Sequence, residues 1–253
     1  MKYDVKVCEI LEKEELAKGI FSFTVQAGEL SKAAQPGQFA NLLVPGKTLR
    51  RPISICEIDK ERETLRFVFE IRGEGTEQLA AFKKGDSFDI LAPLGNGFQL
   101  GDLNRKALFV GGGIGVPPLL QPAKLFGKNA TVVIGFRNRD AMILKEDFEQ
   151  AGCRVIVATD DGSYGHHGFA TECLNGIEKD MIFACGPMPM LKALCKIAEE
   201  EQLECQISLE ERMACGIGAC LGCACKVKKE DGGETFGHVC KDGPVFDYHK
   251  VVF

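Results

Sequence analysis

The sequence predicts three structural units in series: an antiparallel β-barrel, an α/β unit built on a parallel sheet, and a small C-terminal unit with little core of its own. Three observations carry this. Up to about Leu100, apolar and polar residues alternate in short runs separated by Gly, Pro and Asp. From Asn104, short continuous apolar runs alternate with helical stretches, the pattern of a parallel sheet covered on both faces. After "CQISLEE", large apolar side chains are few until "GPVFDYHKVVF", so hydrophobic burial alone is not expected to fold that stretch. The boundaries are drawn at 1–101, 102–208 and 209–253.

The barrel strands are read in "YDVKVCEIL", "IFSFTVQA", "GQFANLLVP", "RPISICEI", "TLRFVFEIRG" and "DSFDILAPLG". Period-two patterning at this length, with turn residues between, suits a closed antiparallel barrel. One short helix is expected in this region, in "GTEQLAAFKKG", opening near Thr76 and closing at Gly85. In the α/β unit the strands are "KALFVGG", "ATVVIGF", "CRVIVATDD" and "DMIFACG", and the helices lie in "PPLLQPAKLFG", "MILKEDFEQAG" and "PMLKALCKIAEEEQL".

Composition excludes several function classes. A formal charge of −5 offers no basic stripe for a phosphate backbone. No apolar run approaches the ~20 residues that cross a bilayer. The N-terminal "MKYDVKVCEILEKEELAKG" has neither a continuous apolar segment nor a small-residue cleavage site, so a cytoplasmic protein is expected. In that compartment thiols stay reduced, which turns the 12 cysteines towards metal or redox use rather than disulfides. Cys8, Cys56, Cys153, Cys173, Cys195 and Cys205 stand singly among apolar neighbours and read as small hydrophobes.

The other cysteines cluster. In "RMACGIGACLGCACK", Cys215, Cys220 and Cys223 are spaced C-x4-C-x2-C, and Cys240 follows seventeen residues later. That is the spacing of plant-type [2Fe–2S] proteins. Gly216, Gly218, Ala219 and Gly222 allow the tight curvature that turns thiolates and backbone N–H groups inward. A structural zinc site is the rival, although zinc knuckles present two short pairs rather than three bunched ligands and a remote one. Cys225 stands in a C-x-C relation to Cys223, which in an extended segment turns its side chain away.

Two further motifs face ligands. In "LRRPISI", Arg51 and Ile53 share one face of a strand and Ser54 takes the other. Some twenty residues on, Gly75 and Thr76 in "GEGT" open a helix, and a helix N-terminus beside an arginine suits a pyrophosphate. "ALFVGGGIGVPPLL" is a strand, a glycine-rich turn and a helix starting at prolines, in which Gly111, Gly112, Gly113 and Gly115 let backbone approach a ligand. It departs from G-x-G-x-x-G because prolines occupy the third glycine position. "ATDDGSYG" and "FACGPMPML" add two more strand ends at one sheet edge, where open parallel sheets bind ligands.

Taken together, "RRPIS", "GGGIGVPP", "TDDGSYG", "CGPMPM" and "CGIGACLGCACK…VCKDGP" resemble the ferredoxin–NADP reductase superfamily, and within it the electron transfer subunits of NAD-dependent (type B) dihydroorotate dehydrogenase, over essentially the whole chain. The resemblance implies three cofactors: FAD, a [2Fe–2S] cluster and NAD. It implies that Arg51 faces the FAD pyrophosphate, that Pro52, Ile53 and Ser54 lie along the flavin, with Ser54 near its reactive nitrogen, and that Gly75 and Thr76 hold phosphates. Phe69 and Glu70 fall against FAD. Many relatives have a basic residue at the second position, so Glu70 is a departure for which Arg72 could substitute. Gly113, Gly115, Asp161, Cys185, Gly186, Pro187 and Met188 would line the nicotinamide side, and Asp160 with Asp161 would repel a 2′-phosphate, favouring NAD. Cys215, Cys220, Cys223 and Cys240 would hold the cluster.

The implied function is electron transfer. Electrons from the FMN of a dihydroorotate dehydrogenase catalytic subunit would pass through [2Fe–2S] and FAD to NAD+, in pyrimidine biosynthesis. A flavin is needed because nicotinamide moves two electrons at once and a cluster one. The implied partner is that catalytic subunit, in a heterotetramer of two plus two, docked on residues 212–226 and 236–247. An alternative is the small subunit of a related NAD(P)H:ferredoxin transhydrogenase or sulfide dehydrogenase, where the first cluster cysteine tends to be acidic; Cys215 argues against it. A zinc-stabilised binding module without electron transfer is the other alternative. His166 and His167 are expected in solvent, and Phe253 near a domain junction.

Overall fold

The first six strands of the computed structural model, which describes residues 3–253, close into an antiparallel barrel; Met1 and Lys2, included above in the barrel and the N-terminal segment, lie outside the described residues. The strands are β1 (Asp4–Ala17), β2 (Ile20–Gln26), β3 (Phe39–Leu42), β4 (Arg51–Asp59), β5 (Thr64–Glu70) and β6 (Ser87–Leu94), in the order β1-β2-β5-β4-β3-β6. Phe23, Phe67, Phe69 and Ile90 are fully buried in its core, with Phe23 edge-on to Phe69 at 5.1 Å.

The barrel departs from expectation in three places. β1 runs on through the charged "EKEELA", its register slipping at two bulges, and Lys13 lays its stem along the barrel to donate to the carbonyls of Ala80 and Phe82. A helix, α1 (Glu29–Ala33), stands where none was expected, since five residues are too few to display a 3.6 period. The second helix, α2 (Glu74–Ala81), starts and stops earlier than read. Phe82 is extended, and Asp86 accepts from the Lys83 N–H to make a separate turn before Gly85.

The remaining strands are β7 (Ala107–Gly112), β8 (Ala130–Phe136), β9 (Arg154–Thr159), β10 (His166–His167), β11 (Met181–Cys185), β12 (Glu204–Ser208), β13 (Ala224–Lys228), β14 (Glu234–His238) and β15 (Val245–Asp247); the helices are α3 (Leu120–Phe126), α4 (Lys145–Gln150) and α5 (Met188–Glu201). A seven-stranded sheet runs β10-β9-β8-β7-β11-β12-β15, parallel except for β15. Alternate residues enter two cores. Phe109, Val132 and Phe183 pack with α3 and α4, while Leu108, Val133 and Ile182 pack with α5. The continuous apolar runs in the sequence reflect this double burial. The chain moves from β7 to β8 and β9 on one side, then returns to β11 and β12 on the other, so the switch point lies between β7 and β11.

The C-terminal stretch obtains a core by sharing one. β15 pairs with β12, and Val239, Phe246, Tyr248 and Val251 are buried among residues of α5 and the sheet. β13 and β14 form a separate hairpin. Phe253 is exposed, with Lys192 over its ring at 5.6 Å. The two histidines are exposed but form the edge strand β10, where His166 meets Glu172 at 3.0 Å. Among the described residues no helix is long and apolar enough to cross a membrane.

Candidate functional site

β4 supplies the first wall of the site. Proline 52 pairs with Asn41 and Ser54 with Phe39, so these four share the outward face, and Arg51 and Ile53 take the other, as strand alternation requires. A cleft opens there. Pro52, Ile53 and Ser54 line it together with Phe69, Glu70 and Thr76 from the barrel, and Ile114 and Cys185 from the ends of β7 and β11 close its far side. It therefore lies between the barrel and the topological switch point.

Arg51 reaches from the strand to the start of α2. Its guanidinium donates to the Leu49 carbonyl at 2.6 Å and lies so close over Gly75 that a Cβ there would collide with it. Any side chain at 75 would displace the arginine from the helix N-terminus. The Thr76 side chain is used within the loop. Its hydroxyl accepts from the N–H groups of Arg72 and Gly73 and donates to the Gly73 carbonyl, so it ties the loop down, and what it offers a ligand is backbone. Glu70 and Arg72 are paired with each other at 2.7 Å, which balances the charge at the cleft edge.

Only one glycine of the "GGGIG" turn is open to a ligand. A Cβ on Gly111 would strike Val116, one on Gly112 would strike Pro187, and one on Gly115 would strike the backbone of Cys185 and Gly186. These three are small because neighbouring chain is pressed against them. Gly113 has φ +53 and nothing within 4 Å of its would-be Cβ. Gly186 and Pro187 form the facing loop that leads into α5. Asp161 is further along the same sheet edge, beyond β9, and its carboxylate accepts from the Ser163 hydroxyl and N–H, which holds it below the usual carboxylate range.

The end of β12 and the segment after it were not legible as part of the site from the sequence. Ser208, Glu210, Glu211 and Met213 all line the cleft. The Cys185 thiol is pushed up by burial and by Glu210, with Ser208 pulling the other way. Glu210 is exposed as a residue, while desolvation of its carboxyl against the cleft raises its pKa, with Arg72 pulling the other way. "SLEERM" carries no motif. Its position just past the carboxyl end of a predicted parallel strand was the available signal.

From Met213 the chain passes within two residues to Cys215. The loop turns backbone donors onto sulfur: Ile217, Ala219 and Cys220 N–H groups lie 3.3–3.4 Å from Cys215 Sγ, Gly218 N–H lies 3.2 Å from Cys240 Sγ, and Cys240 N–H lies 3.4 Å from Cys223 Sγ. Burial opposes ionisation of Cys215, but those N–H groups and the Cys220 side chain outweigh it and bring the thiol down to about 6. Cys240, with Cys223 beside it, is pushed up by burial to about 12. The four thiols thus fall into two neighbouring pairs, 215 with 220 and 223 with 240, with amide donors on the sulfurs of Cys215, Cys223 and Cys240, which suits a two-iron cluster with two thiolates on each iron. Binding iron would deprotonate all four. Cys225 lies on extended β13 opposite Gly237, raised by burial to about 11, and its side chain packs towards the core beneath the sheet.

The iron–sulfur cluster binding domain of dihydroorotate dehydrogenase B matches residues 210–252. Electron transfer subunits of dihydroorotate dehydrogenase B (NAD(+)) from Bacillus cereus strains B4264 and G9842 are each 40% identical to the chain over 253 residues, covering 96% of both sequences. A solved NADH-dependent reduced ferredoxin-NADP oxidoreductase, described in the context of flavin-based electron bifurcation, is 31% identical with a TM-score of 0.83, over 97% of this chain and 89% of that one. A ferredoxin NADP+ reductase from Neisseria gonorrhoeae with bound FAD and NADP shares the fold at 17% identity and a TM-score of 0.63, over 78% of this chain and 91% of that one.

Proposed function

Because the chain belongs to the family of dihydroorotate dehydrogenase B electron transfer subunits, we infer its part in that reaction from the cleft and the cysteine loop it carries. It is an NAD+-linked electron transfer subunit of an oxidoreductase, built to hold FAD and an iron–sulfur cluster. We propose that electrons arrive from the FMN of a catalytic subunit, cross the cluster and the flavin, and leave on NAD+. One observation carries this order: eight residues, Ser208 to Met213 and then Ala214 and Cys215, run from the cleft wall to the first cluster cysteine, so the two redox groups would sit side by side.

The flavin, when bound, converts the one-electron traffic of a cluster to the hydride chemistry of nicotinamide. The chain's own residues do the rest. Arg51 and the N-terminus of α2, beside Gly75 and Thr76, are placed for the pyrophosphate. Pro52, Ile53, Ser54, Phe69 and the Glu70–Arg72 pair frame the ring, with aliphatic packing from Ile53. Gly113, Cys185, Gly186 and Pro187 form the nicotinamide side, with Gly115 letting the Cys185–Gly186 loop pack close behind it, and Asp161 supports a preference for NAD. Cys215, Cys220, Cys223 and Cys240 are the cluster ligands in this reading, and Cys225 is not.

We further propose functional units at 1–101, 102–208 and 209–253, a cytoplasmic complex, and a heterotetramer of two electron transfer and two catalytic subunits. Docking falls on the cysteine loop and its neighbours, where Ile217, Leu221 and Phe236 are exposed. The test is co-expression with an FMN-containing dihydroorotate dehydrogenase subunit. A complex that contains iron and FAD and reduces NAD+ on addition of dihydroorotate supports the reading. A complex that reduces NADP+ or ferredoxin instead, or a chain that purifies with zinc and no iron, overturns it.

A further inference from the structure

Each half of the cysteine loop is tied to the barrel by one asparagine. Asn41, on β3, donates from Nδ2 to the carbonyl of Cys215 at 3.3 Å. Asn96, just beyond β6, donates from Nδ2 to the carbonyls of Lys241 and Asp242, both at 3.0 Å, and its N–H reaches the Gly243 carbonyl at 2.6 Å. Cys215 opens the bunched ligands, and Lys241 immediately follows the remote Cys240. The two ties therefore bracket the ligand set.

Asn41 has an energetic peculiarity. It is 1% exposed, and its Oδ1 has no donor among the described residues. Burying a polar atom without a partner is unfavourable. An apolar side chain of the same size would avoid that cost, so the contact made by Nδ2 has to offset it. The fit is close on the other side too: Gly216, at φ +72, is pressed against Asn41, and any side chain there would collide with the amide. Asn41 also pairs with Pro52 of the cleft wall. The Asn41 carbonyl, turned towards β6, accepts from Arg50 at 3.3 Å, and Arg50 pairs with Asp89 at 2.6 Å. The same residue thus lies beside the flavin strand, opposite Pro52 and held by Arg50 at the start of β4, and reaches the first cluster cysteine through its side chain.

We propose that Asn41 and Asn96 are positioning residues that set the gap between the cluster and the flavin, and so the rate of electron transfer between them. This rests on the functional reading above. Electron transfer falls steeply with separation, and hydrogen bonds around metal ligands orient the site. Hydride exchange between flavin and nicotinamide uses the opposite side of the cleft and does not need either asparagine.

The test uses the complete two-subunit complex carrying Asn41→Asp, which keeps the shape but replaces the donor with an acceptor, Asn41→Ala, or Asn96→Ala. Iron content and the electron paramagnetic resonance spectrum of the reduced cluster are measured first, then flavin reduction by NADH and by dihydroorotate. Expected are wild-type iron, an unchanged rate with NADH, and a rate with dihydroorotate lowered about tenfold. Wild-type rates with both reductants overturn the proposal. Loss of iron, or equal slowing with both reductants, in all three variants also overturns it, because the asparagines would then only hold the fold. If the wild-type complex itself does not respond to dihydroorotate, the functional reading fails; the positioning role is then decided by NADH-driven reduction of the cluster, which is slowed in the variants if it is correct and unaltered if it is not.

Discussion

The guanidinium of Arg51 lies over the α-carbon of Gly75, leaving no room for a Cβ between strand β4 and the N-terminus of α2. Two elements separated by more than twenty residues are locked in register by the absence of a methyl group. Arg51→Ala should weaken FAD binding by about 1.5–3 kcal/mol, the worth of hydrogen bonds to a charged group, or roughly 10- to 150-fold. Gly75→Ala should approach that loss by displacing the arginine. Flavin fluorescence titration measures both; an unchanged affinity in Arg51→Ala would remove it from the pyrophosphate site.

Serine at 215, 220, 223 or 240 should abolish the visible iron–sulfur absorption while FAD stays bound, because the cleft and the loop use different side chains. Serine at 225 should leave the cluster in place, since that thiol lies on β13 without amide donors of the kind found on the Cys215, Cys223 and Cys240 sulfurs, and packs towards the core. Absorption and iron analysis of anaerobically purified variants decide it. A cluster lost in Cys225→Ser but kept in Cys240→Ser would overturn the ligand set.

Ile217 and Leu221 are exposed by 40% and 60% on the loop that carries the cysteines. If the catalytic subunit docks there, Ile217→Asp and Leu221→Asp should each weaken the complex at least about tenfold, the scale of an interface anchor. Aspartate is tolerated at 221, where φ is +59. Association is read by surface plasmon resonance and cofactor content by absorption. Wild-type affinity in the double variant would place the interface elsewhere.

Glu210 gives a pH dependence whose sign can be stated. Burial raises its carboxyl above the ordinary 4.5, so the folded chain holds this proton more tightly than the unfolded chain does. The contribution to stability is fully present below 4.5 and is lost as pH rises through the folded value. Glu210→Gln, always neutral, should therefore raise Tm relative to wild type at pH 8 and lose that advantage at pH 4. Parallel melting curves across this range would refute the assignment.

Much of the site was legible from sequence because its motifs are local. "RRPIS", "GGGIGVPP" and the C-x4-C-x2-C spacing each place their residues within a few positions on one turn or strand, and the structure puts Pro52, Ile53, Ser54, Phe69, Glu70, Thr76 and Cys185 around one cleft. Ser208, Glu210 and Met213 were not legible. Their membership depends on where β12 ends relative to β4, which no local pattern encodes. The glycine turn shows the converse: its composition pointed to a ligand, yet Gly111, Gly112 and Gly115 are small because Val116, Pro187 and Cys185 crowd them.

By itself the sequence determined the order and kind of the three units, the identity of the clustered cysteines and the strand ends that form a ligand edge. These follow from hydrophobic period, turn residues and short-range spacing, all of which act within a few neighbouring residues. Tertiary structure alone decided that the C-terminal stretch completes its core with β12 and α5, that Arg51 meets Gly75, and that Asn41 and Asn96 tie the cysteine loop to the barrel. Those relationships join residues as far as 174 positions apart. They are set by how the closed barrel and the parallel sheet pack together.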